Sequence, residues 1–483
     1  MDVDRMPENV LTLGALRASG WESVSVKQEI RRNVMRRVRA GEPVIDGVVG
    51  YDDTVLPQLT HALLAGHDVV FLGERGQAKS RMIRGLTGLL DEALPVIDGS
   101  EINDDPYAPV SAFAKDLVAE RGDDTPIRWI GRDERYGEKL ATPDISIADL
   151  IGEVDPIKVA EGRYLADEHT IHYGLVPRTN RGIFAINELP DLAERIQVGL
   201  LNILEERDVQ IRGYKVQLPL DLFLVASANP EDYTNRGRII TPLKDRFGAQ
   251  IRTHYPLDHT AEIGIVESEA RLPSGTDARV QVPAFMAEMI ARLSHLARES
   301  PHVSERSGVS VRMTIDNYET LVAGAERRAL ANGEDEVVPR ISDLDAIVAS
   351  TAGKVEIEGV DSGEEGAIFD RLVKKAVLDT YRETVSADDV RALVHCIDDT
   401  NATVSTSASM PAGDLVRQLT AMDGSDGFMP VLERIGGESP AGVASALELV
   451  LEGLHLSKRL NKVVSGGAAQ DSGESAGATY GSR

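Results

Sequence analysis

Cysteine, aromatic residues and long apolar runs are scarce in this 483-residue sequence. The single cysteine, Cys396, excludes an intramolecular disulfide and a zinc site built from several cysteines. Aromatic residues make up only 4%, so the core must consist mainly of Leu, Val, Ile and Ala. No apolar run approaches the length that spans a bilayer, and the first ten residues lack a hydrophobic signal segment. We therefore expect a cytoplasmic protein with no membrane partner.

Basic residues are also few, since 52 Lys and Arg stand against 78 Asp and Glu, a formal net charge of -26. Such a surface repels nucleic-acid phosphates and anionic membranes. A local basic pore is compatible with an acidic total, so nucleic acid is disfavoured as a partner but not excluded.

The most informative segment is GERGQAKS, residues 73–80, which directly follows an apolar run at residues 67–72. A strand that breaks into a Gly-rich turn and continues as Lys-Ser plus helix formers is typical of a phosphate-binding loop. The predicted nucleotide contacts are Gly73, Glu74, Arg75, Gly76, Gln77, Ala78, Lys79 and Ser80. Lys79 would place a positive charge on the phosphates, and Ser80 a hydroxyl ligand on Mg²⁺. The usual pattern has Gly at position 78, so Ala78 requires a negative φ there.

Strand-like and helix-like segments alternate over residues 46–260, which predicts an α/β core around a parallel sheet. The candidate strands are 67–72, 94–98, 182–187, 221–227 and 249–254. Residues 1–45 are predicted to form a helical extension with Val26, Ile30, Val34 and Val38 at four-residue spacing. This stripe either docks on the core or belongs to a solvated helix.

Helical periodicity dominates the rest of the chain. It predicts a helical lid domain at residues 283–396 and two further helices within residues 413–462. The Gly-, Ser- and Ala-rich segment 465–483 is expected to be disordered.

Two strands predicted to lie beside the phosphate loop end in polar residues. The first, residues 182–187, ends in Asn187 and is followed by Glu188, where P-loop ATPases have Asp and Glu. Glu188 would polarise the water that attacks the γ-phosphate, and Asn187 would accept a hydrogen bond from a Mg²⁺-bound water. Because Asn187 carries no charge, weaker Mg²⁺ affinity and slower turnover are expected. The second strand ends before Asn229, whose amide could position the same water.

Two arginine positions follow these strands in the order that a nucleotide site requires. Arg246 is the candidate arginine finger for a neighbouring subunit's nucleotide, with Arg236 and Arg238 as the alternatives. Arg312, in the segment that opens a helix of the second domain, could couple the nucleotide to the lid. The alternative interpretation is that Arg312 is only part of a capped helix start.

The phosphate loop, the Asn-Glu strand, the Ser-Ala-Asn strand, Asp-Arg-Phe and the Arg-bearing helix, in this order, resemble an AAA+ ATPase. The likeness is greatest to the I subunit of magnesium chelatase and to MoxR-type ATPases, and it covers about residues 45–395. Segments 149–158 and 172–182 resemble the family's helix-2 insertion (about 145–180), and 205–213 its pre-sensor hairpin (about 205–219). Residues 48–51 match the adenine-side entry, so Val49, Gly50 and Tyr51 are expected to contact nucleotide. Ala78 fits the MoxR branch, whereas Asn187 departs from the usual Asp.

The resemblance implies an AAA+ P-loop core with three αβα layers, followed by an all-helical lid. It also implies ATP and Mg²⁺ as cofactors, with Ser80 and Asn187 at the metal, and a homo-oligomeric, hexameric ring. A protein client is expected, in this branch often one with a von Willebrand factor A domain. Three alternatives stay open: a true magnesium-chelatase subunit for porphyrin metallation, a nucleotide-binding assembly switch with little hydrolysis, and a transcription-regulating ring.

Overall fold

The chain folds into two compact units, Met1–His254 and Tyr255–Arg483. The computed structural model describes residues 10–154, 170–206, 209–211, 214–216, 218–229, 237–272, 279–304, 308–356, 365–407, 409–465 and 477–482. Within these ranges, no helix combines the length and the apolarity that crossing a bilayer requires.

The first unit contains eleven strands among its described residues. They are β1 (Val69–Leu72), β2 (Ala93–Ile97), β3 (Ile127–Gly131), β4 (Tyr136–Leu140), β5 (Gly152–Val154), β6 (Ile171–Tyr173), β7 (Gly182–Asn187), β8 (Val209–Ile211), β9 (Tyr214–Val216), β10 (Leu222–Ala228) and β11 (Ala249–Arg252). Five of them form one sheet in the order β11-β1-β10-β7-β4, and every neighbouring pair in it is parallel. The other six pair antiparallel as β2–β3, β5–β6 and β8–β9.

Helices cover both faces of the sheet. The described helices of this unit are α1 (Leu13–Ala18), α2 (Val26–Ala40), α3 (Val55–Ala65), α4 (Lys79–Gly85), α5 (Ala112–Arg121), α6 (Ile147–Leu150), α7 (Leu175–Arg178), α8 (Glu194–Glu206) and α9 (Thr241–Arg246). Because side chains alternate along a strand, Val69 and Phe71 pack in one cluster with α2, α3 and α4, whereas Val70 packs in another with α7, α8 and α9. The result is the predicted three-layer αβα core.

The N-terminal helix α2 is docked on the core rather than solvated. Ser25 and Gln28 form a capping box at its start, and Gly41 ends it in the left-handed conformation. Val26, Ile30 and Val34 are fully buried, whereas Val38 is exposed. The buried helix face also carries Glu29.

Glu29 forms a buried ion pair with Arg135. Arg135 donates two hydrogen bonds to the Glu29 carboxylate at 2.7 and 2.6 Å, and the two side chains are only 1% and 2% exposed. Arg135 also donates to the Arg181 carbonyl from Nε and Nη2, and Glu29 accepts from the Asp91 backbone N–H. The pair therefore joins α2 to the segment that precedes β4.

The prediction that residues 94–98 belong to the central sheet is wrong. These residues lie in β2, which pairs antiparallel with β3 outside the sheet. The fifth sheet strand is instead β4, which was not predicted because Glu138 and Lys139 interrupt any apolar run. An edge strand needs neighbours on one side alone, so it tolerates this composition.

The inserted segments are described in part. In the region of about 145–180, α6, β5, β6 and α7 are described, and residues 155–169 lie outside the described residues. The predicted hairpin at about 205–219 is represented by the antiparallel pair β8–β9.

The second unit is mainly helical. Its described helices are α10 (His259–Glu269), α11 (Ala284–Glu299), α12 (Val311–Asn332), α13 (Val348–Thr351), α14 (Glu365–Thr384), α15 (Arg391–Thr400), α16 (Ala412–Thr420), α17 (Met429–Gly436) and α18 (Pro440–Leu456). Its strands are β12 (Arg279–Val280), β13 (Glu336–Val337), β14 (Val404–Ser407), β15 (Asn461–Ser465) and β16 (Gly477–Gly481). One apolar core joins residues of the predicted lid, such as Tyr381, to residues of α18, such as Leu447. The segments predicted as a lid and as separate C-terminal helices thus share one core.

The expectation of disorder throughout residues 465–483 is wrong for residues 477–481. These residues form β16, which pairs antiparallel with β14 and with β15. Tyr480 is buried in the apolar core of the second unit and donates a hydrogen bond to Glu452. One buried tyrosine therefore anchors a segment whose overall composition is typical of a flexible tail.

We predict that Glu29→Gln lowers the free energy of unfolding of the first unit by about 3–5 kcal/mol, because Arg135 would keep a buried charge without its counter-charge. Both tryptophans, Trp21 and Trp129, lie in this unit, so urea unfolding followed by tryptophan fluorescence isolates it. The control is Asp123→Asn, which breaks the exposed pair with Arg17 and should cost less than about 1 kcal/mol. Equal small effects would contradict the assigned role of the pair.

Candidate functional site

The segment between β1 and α4 is a tight loop that only glycine can begin. A Cβ atom at Gly73 would lie 1.9 Å from Thr253 Oγ1 and 2.2 Å from Gln77 Oε1. The Gln77 side chain ties the loop together, because its Oε1 accepts hydrogen bonds from the Glu74 N–H at 3.0 Å and from Thr253 Oγ1 at 2.6 Å. Gly76 adopts φ +77°, which favours glycine. The loop leads into the N-terminus of α4, as predicted.

Ala78 has φ 53° and ψ 15°, so the sequence-based requirement of a negative φ is wrong. The left-handed conformation is disfavoured for a residue with a Cβ atom. Ala78 is the N-cap of α4 and follows Gln77, whose buried side chain fixes the loop. The closure of the loop therefore sets the backbone at Ala78 against its own preference.

Lys79 lies at the centre of the loop and is buried. Its Nζ donates to the carbonyls of Gly73 and Glu74, at 2.5 and 2.7 Å, and to Asn229 Oδ1 at 2.7 Å. Ser80, the second residue of α4, is exposed. The first N–H groups of a helix have no acceptor within the helix, so this end of α4 offers donors to an anion.

Of the residues predicted at the adenine-side entry, Tyr51 contacts the loop directly. Its hydroxyl donates to the carbonyls of Gln77 at 2.9 Å and His254 at 2.7 Å. Burial raises the pKa of Tyr51 to about 12, so the hydroxyl remains a donor at neutral pH. Val49 is exposed, and Gly50 has a positive φ of 82°.

The ends of β7 and β10 bring three predicted residues together. Asn229 follows β10, and its Nδ2 donates to Glu188 Oε2 at 2.5 Å while its Oδ1 accepts from Lys79. Glu188, after β7, has φ 56°, and its backbone N–H donates to Ser227 Oγ at 3.2 Å. Ser227 Oγ in turn donates to Asn187 Oδ1 at 3.2 Å. Lys79, Asn229, Glu188, Ser227 and Asn187 thus form one connected network.

Glu138, which no sequence pattern indicated, extends this network from the edge strand β4. Asn187 Nδ2 donates to Glu138 Oε1 at 2.5 Å. Arg84, on α4, forms a bidentate pair with the same carboxylate at 2.9 and 3.0 Å, and Tyr136 donates to it at 3.0 Å. The hydrogen bond from Arg84 is the main reason that the pKa of Glu138 is lowered. Position 187 therefore has an ionised carboxylate beside it.

The predicted arginines lie at exposed positions or outside the described residues. Arg246 is exposed at the last residue of α9, and Arg238 is exposed 3.8 Å from Glu194. Arg236 lies outside the described residues. Arg312, in the second unit, is exposed in the first turn of α12, and its N–H donates to the N-cap Ser310. Its assignment to a capped helix start is therefore confirmed, whereas coupling to nucleotide stays a prediction.

Comparison with known proteins finds similarity to magnesium-chelatase subunits. The chain is 25% identical to magnesium-chelatase subunit ChlI-1 of Arabidopsis thaliana over 342 residues, which is 65% of this chain and 76% of that protein. It is also 25% identical to the ChlI subunit of Nephroselmis olivacea over 345 residues, 66% of this chain and 91% of that protein. The chain is related to the magnesium-chelatase I subunits. The predicted resemblance is therefore confirmed, and the fold is that of an AAA+ ATPase.

Solved structures and family models complete the comparison. A cryo-EM structure of the complex between subunits BchI and BchD of magnesium chelatase matches with a TM-score of 0.34 and 20% identity, over 66% of this chain and 97% of that chain. RuvB of Thermotoga maritima matches with a TM-score of 0.36 and 14% identity, over 82% and 93%. No protein-family model matches the chain.

The residues of this AAA+ core fit Mg²⁺ and a nucleoside triphosphate. The loop provides a buried ammonium and a helix N-terminus for phosphates, and oxygen donors suited to Mg²⁺ are available from Ser80 and Asn187. Glu188, held by Asn229, is the carboxylate nearest in the network to Lys79. The arrangement can bind a triphosphate and activate a water beside it.

We predict that Ala78→Gly stabilises the first unit by up to about 1 kcal/mol, because glycine adopts the left-handed conformation without a Cβ clash. Tryptophan fluorescence during urea unfolding measures the change. The control is Ala119→Gly, at an exposed position within α5, which should destabilise by about 1 kcal/mol because glycine lowers helix propensity. Destabilisation by both substitutions would show that Ala78 is unstrained.

Proposed function

We propose that this protein binds and hydrolyses ATP and uses the energy to remodel or activate a protein partner. The observation that carries the proposal is the network from Lys79 through Asn229 to Glu188. One amide side chain there contacts both the residue suited to neutralise the phosphates and the residue suited to polarise the attacking water. The proposed site residues are the phosphate loop at positions 73–80, with Asn187, Glu188 and Asn229.

Each residue has a role that its surroundings support. Lys79 would neutralise charge on the β- and γ-phosphates, and Ser80 with Asn187 would hold Mg²⁺, which supplies electrostatic stabilisation of the transferring phosphoryl group. Glu188 would accept the proton of the attacking water, and Asn229 would orient Glu188. Val49, Gly50 and Tyr51 would border the base, with Tyr51 fixing the backbone of the loop.

The acting form is proposed to be a homo-oligomeric ring, a hexamer in the simplest case. Arg246 is exposed at the end of α9, which suits a residue that completes a neighbour's site rather than its own. The client is proposed to be a protein, in particular one with a von Willebrand factor A domain, as the resemblance implies. Arg312 is proposed to respond to the nucleotide from the helical unit.

A second candidate function is that of a subunit of a magnesium chelatase. It is favoured by the names of the relatives, which are magnesium-chelatase subunits at 25% identity. In that case the same ATP-driven motions would act on a larger, porphyrin-binding partner. Purification of tagged protein from its native cell in ATP and Mg²⁺ separates the two, since the chelatase requires a porphyrin-binding subunit in the eluate.

We predict that Lys79→Ala weakens ATP binding by roughly 30-fold or more, the scale of removing a buried charge from its partner. Glu188→Gln should still bind ATP, because the amide oxygen can accept the same bond from Asn229, while hydrolysis falls by about two orders of magnitude. Calorimetry measures binding and phosphate release measures turnover. The control is Lys115→Ala, at an exposed position of α5. Unchanged affinity in Lys79→Ala would overturn the nucleotide assignment.

We predict that Arg246→Ala lowers turnover by roughly three orders of magnitude if the residue is an arginine finger, and that specific activity rises with protein concentration. Mixing Arg246→Ala with Glu188→Gln subunits should restore part of the activity, because a minority of interfaces would combine an intact Glu188 with a neighbour's intact Arg246. Arg238→Ala tests the alternative position, an exposed arginine 3.8 Å from Glu194. If Arg246→Ala keeps normal turnover and Arg238→Ala loses it, the arginine finger is Arg238 instead.

A further inference from the structure

Position 187, where an aspartate is usual, contacts a carboxylate of the neighbouring strand. Asn187 Nδ2 donates to Glu138 Oε1 at 2.5 Å, while Asn187 Oδ1 accepts from Ser227. An aspartate has no N–H to donate. The contact with Glu138 therefore requires a side-chain donor at position 187. Asn187 provides this donor, and the Glu138 carboxylate provides the acceptor.

Glu138 lies beside the face of α4 that carries the predicted Mg²⁺ ligand. Ser80 and Arg84 are four residues apart on this helix, so they share one face. Arg84 binds the Glu138 carboxylate through both Nε and Nη2. Glu138 thus joins Arg84 on α4 to Asn187 at the end of β7, the two elements that carry the proposed metal ligands.

We propose that Glu138 and Asn187 together replace the usual aspartate: Glu138 supplies the negative charge, and Asn187 Oδ1, which accepts from Ser227, would also accept from a metal-bound water. The inference rests on the proposed function, since it concerns Mg²⁺ that accompanies a nucleotide. It makes Glu138 a positioning residue that acts through Asn187. The charge lost at position 187 is present one strand away.

The proposal changes what is expected of substitutions at position 187. Restoring the usual residue alone, as in Asn187→Asp, places two carboxylates in contact, and their repulsion disrupts the site. The pair Asn187→Asp with Glu138→Gln exchanges donor and charge between the two positions. The exchanged pair keeps one negative charge and one N–H donor, so it should retain Mg²⁺ binding better than either single variant.

The structural alternative is that Glu138 does nothing more than anchor Arg84 and α4. Arg84→Gln separates the two roles, because it breaks the same ion pair while it leaves the Glu138 charge in place. A purely anchoring role predicts that Arg84→Gln and Glu138→Gln have the same effect on Mg²⁺. The proposed role predicts that Glu138→Gln raises the Mg²⁺ requirement, whereas Arg84→Gln lowers it or leaves it unchanged. In Arg84→Gln the Glu138 carboxylate keeps its charge and loses its neutralising partner.

The experiment measures the affinity of the full-length protein for the non-hydrolysable ATP analogue AMP-PNP by calorimetry, in EDTA and across a MgCl₂ titration. We expect Glu138→Gln to raise the Mg²⁺ concentration needed for half-maximal tightening by about 10–100-fold, as for other residues that support a metal ligand. Affinity in EDTA should stay unchanged. Asn187→Asp should not lower the Mg²⁺ requirement. The double variant should return the requirement most of the way to the wild-type value.

Three results would overturn the proposal. These are an unchanged Mg²⁺ requirement in Glu138→Gln, a lowered requirement in Asn187→Asp alone, and the same increase in Arg84→Gln as in Glu138→Gln. If Glu138→Gln does not fold, as judged by tryptophan fluorescence, a lowered Mg²⁺ requirement in Asn187→Asp or a raised requirement in Arg84→Gln would still overturn the proposal. Failure of the wild-type protein to bind AMP-PNP under any condition would instead overturn the proposed function, and that outcome is distinct from all three.

Discussion

The contact between the Lys79 ammonium and Asn229 is the interaction on which the candidate site depends. Lys79 belongs to the loop after β1, and Asn229 to the end of β10, which lies beside β1 in the sheet. The parallel register, with Leu72 opposite Ala228, brings the carboxyl ends of both strands to one edge. One hydrogen bond of 2.7 Å therefore fixes the loop relative to the residues proposed to act on water.

The sequence predicted the parts of this arrangement that local pattern determines. Apolar runs located β1, β7 and β10, and the polar residues at the ends of β7 and β10 proved to lie together because parallel strands end at a common edge. The stripe Val26, Ile30 and Val34 identified a helix face, and burial in the fold settled that it is docked.

The parts that could not be predicted depend on contacts between distant residues. Glu138 is an acidic residue in an interrupted apolar segment, and its importance follows from contacts with Arg84 and Asn187, 54 and 49 residues away along the chain. The φ of Ala78 is set by the closure of the loop around Gln77 rather than by its own propensity. The strand at residues 477–481 lies in a segment of flexible composition, and Tyr480 packs into a core made of other elements. In each case tertiary contacts override the local preference.

The buried ion pairs also bear on the acidic charge of the molecule. Arg135 is paired with Glu29 inside the first unit, and Arg328 with Asp343 inside the second, all of them nearly inaccessible. Each such pair removes one basic and one acidic side chain from the surface together, so the surface keeps the net charge of -26. That charge repels nucleic-acid phosphates. Against that surface, a buried ammonium at a helix N-terminus is a distinctive place for an anion, and this supports a nucleotide rather than a polynucleotide as the phosphate ligand.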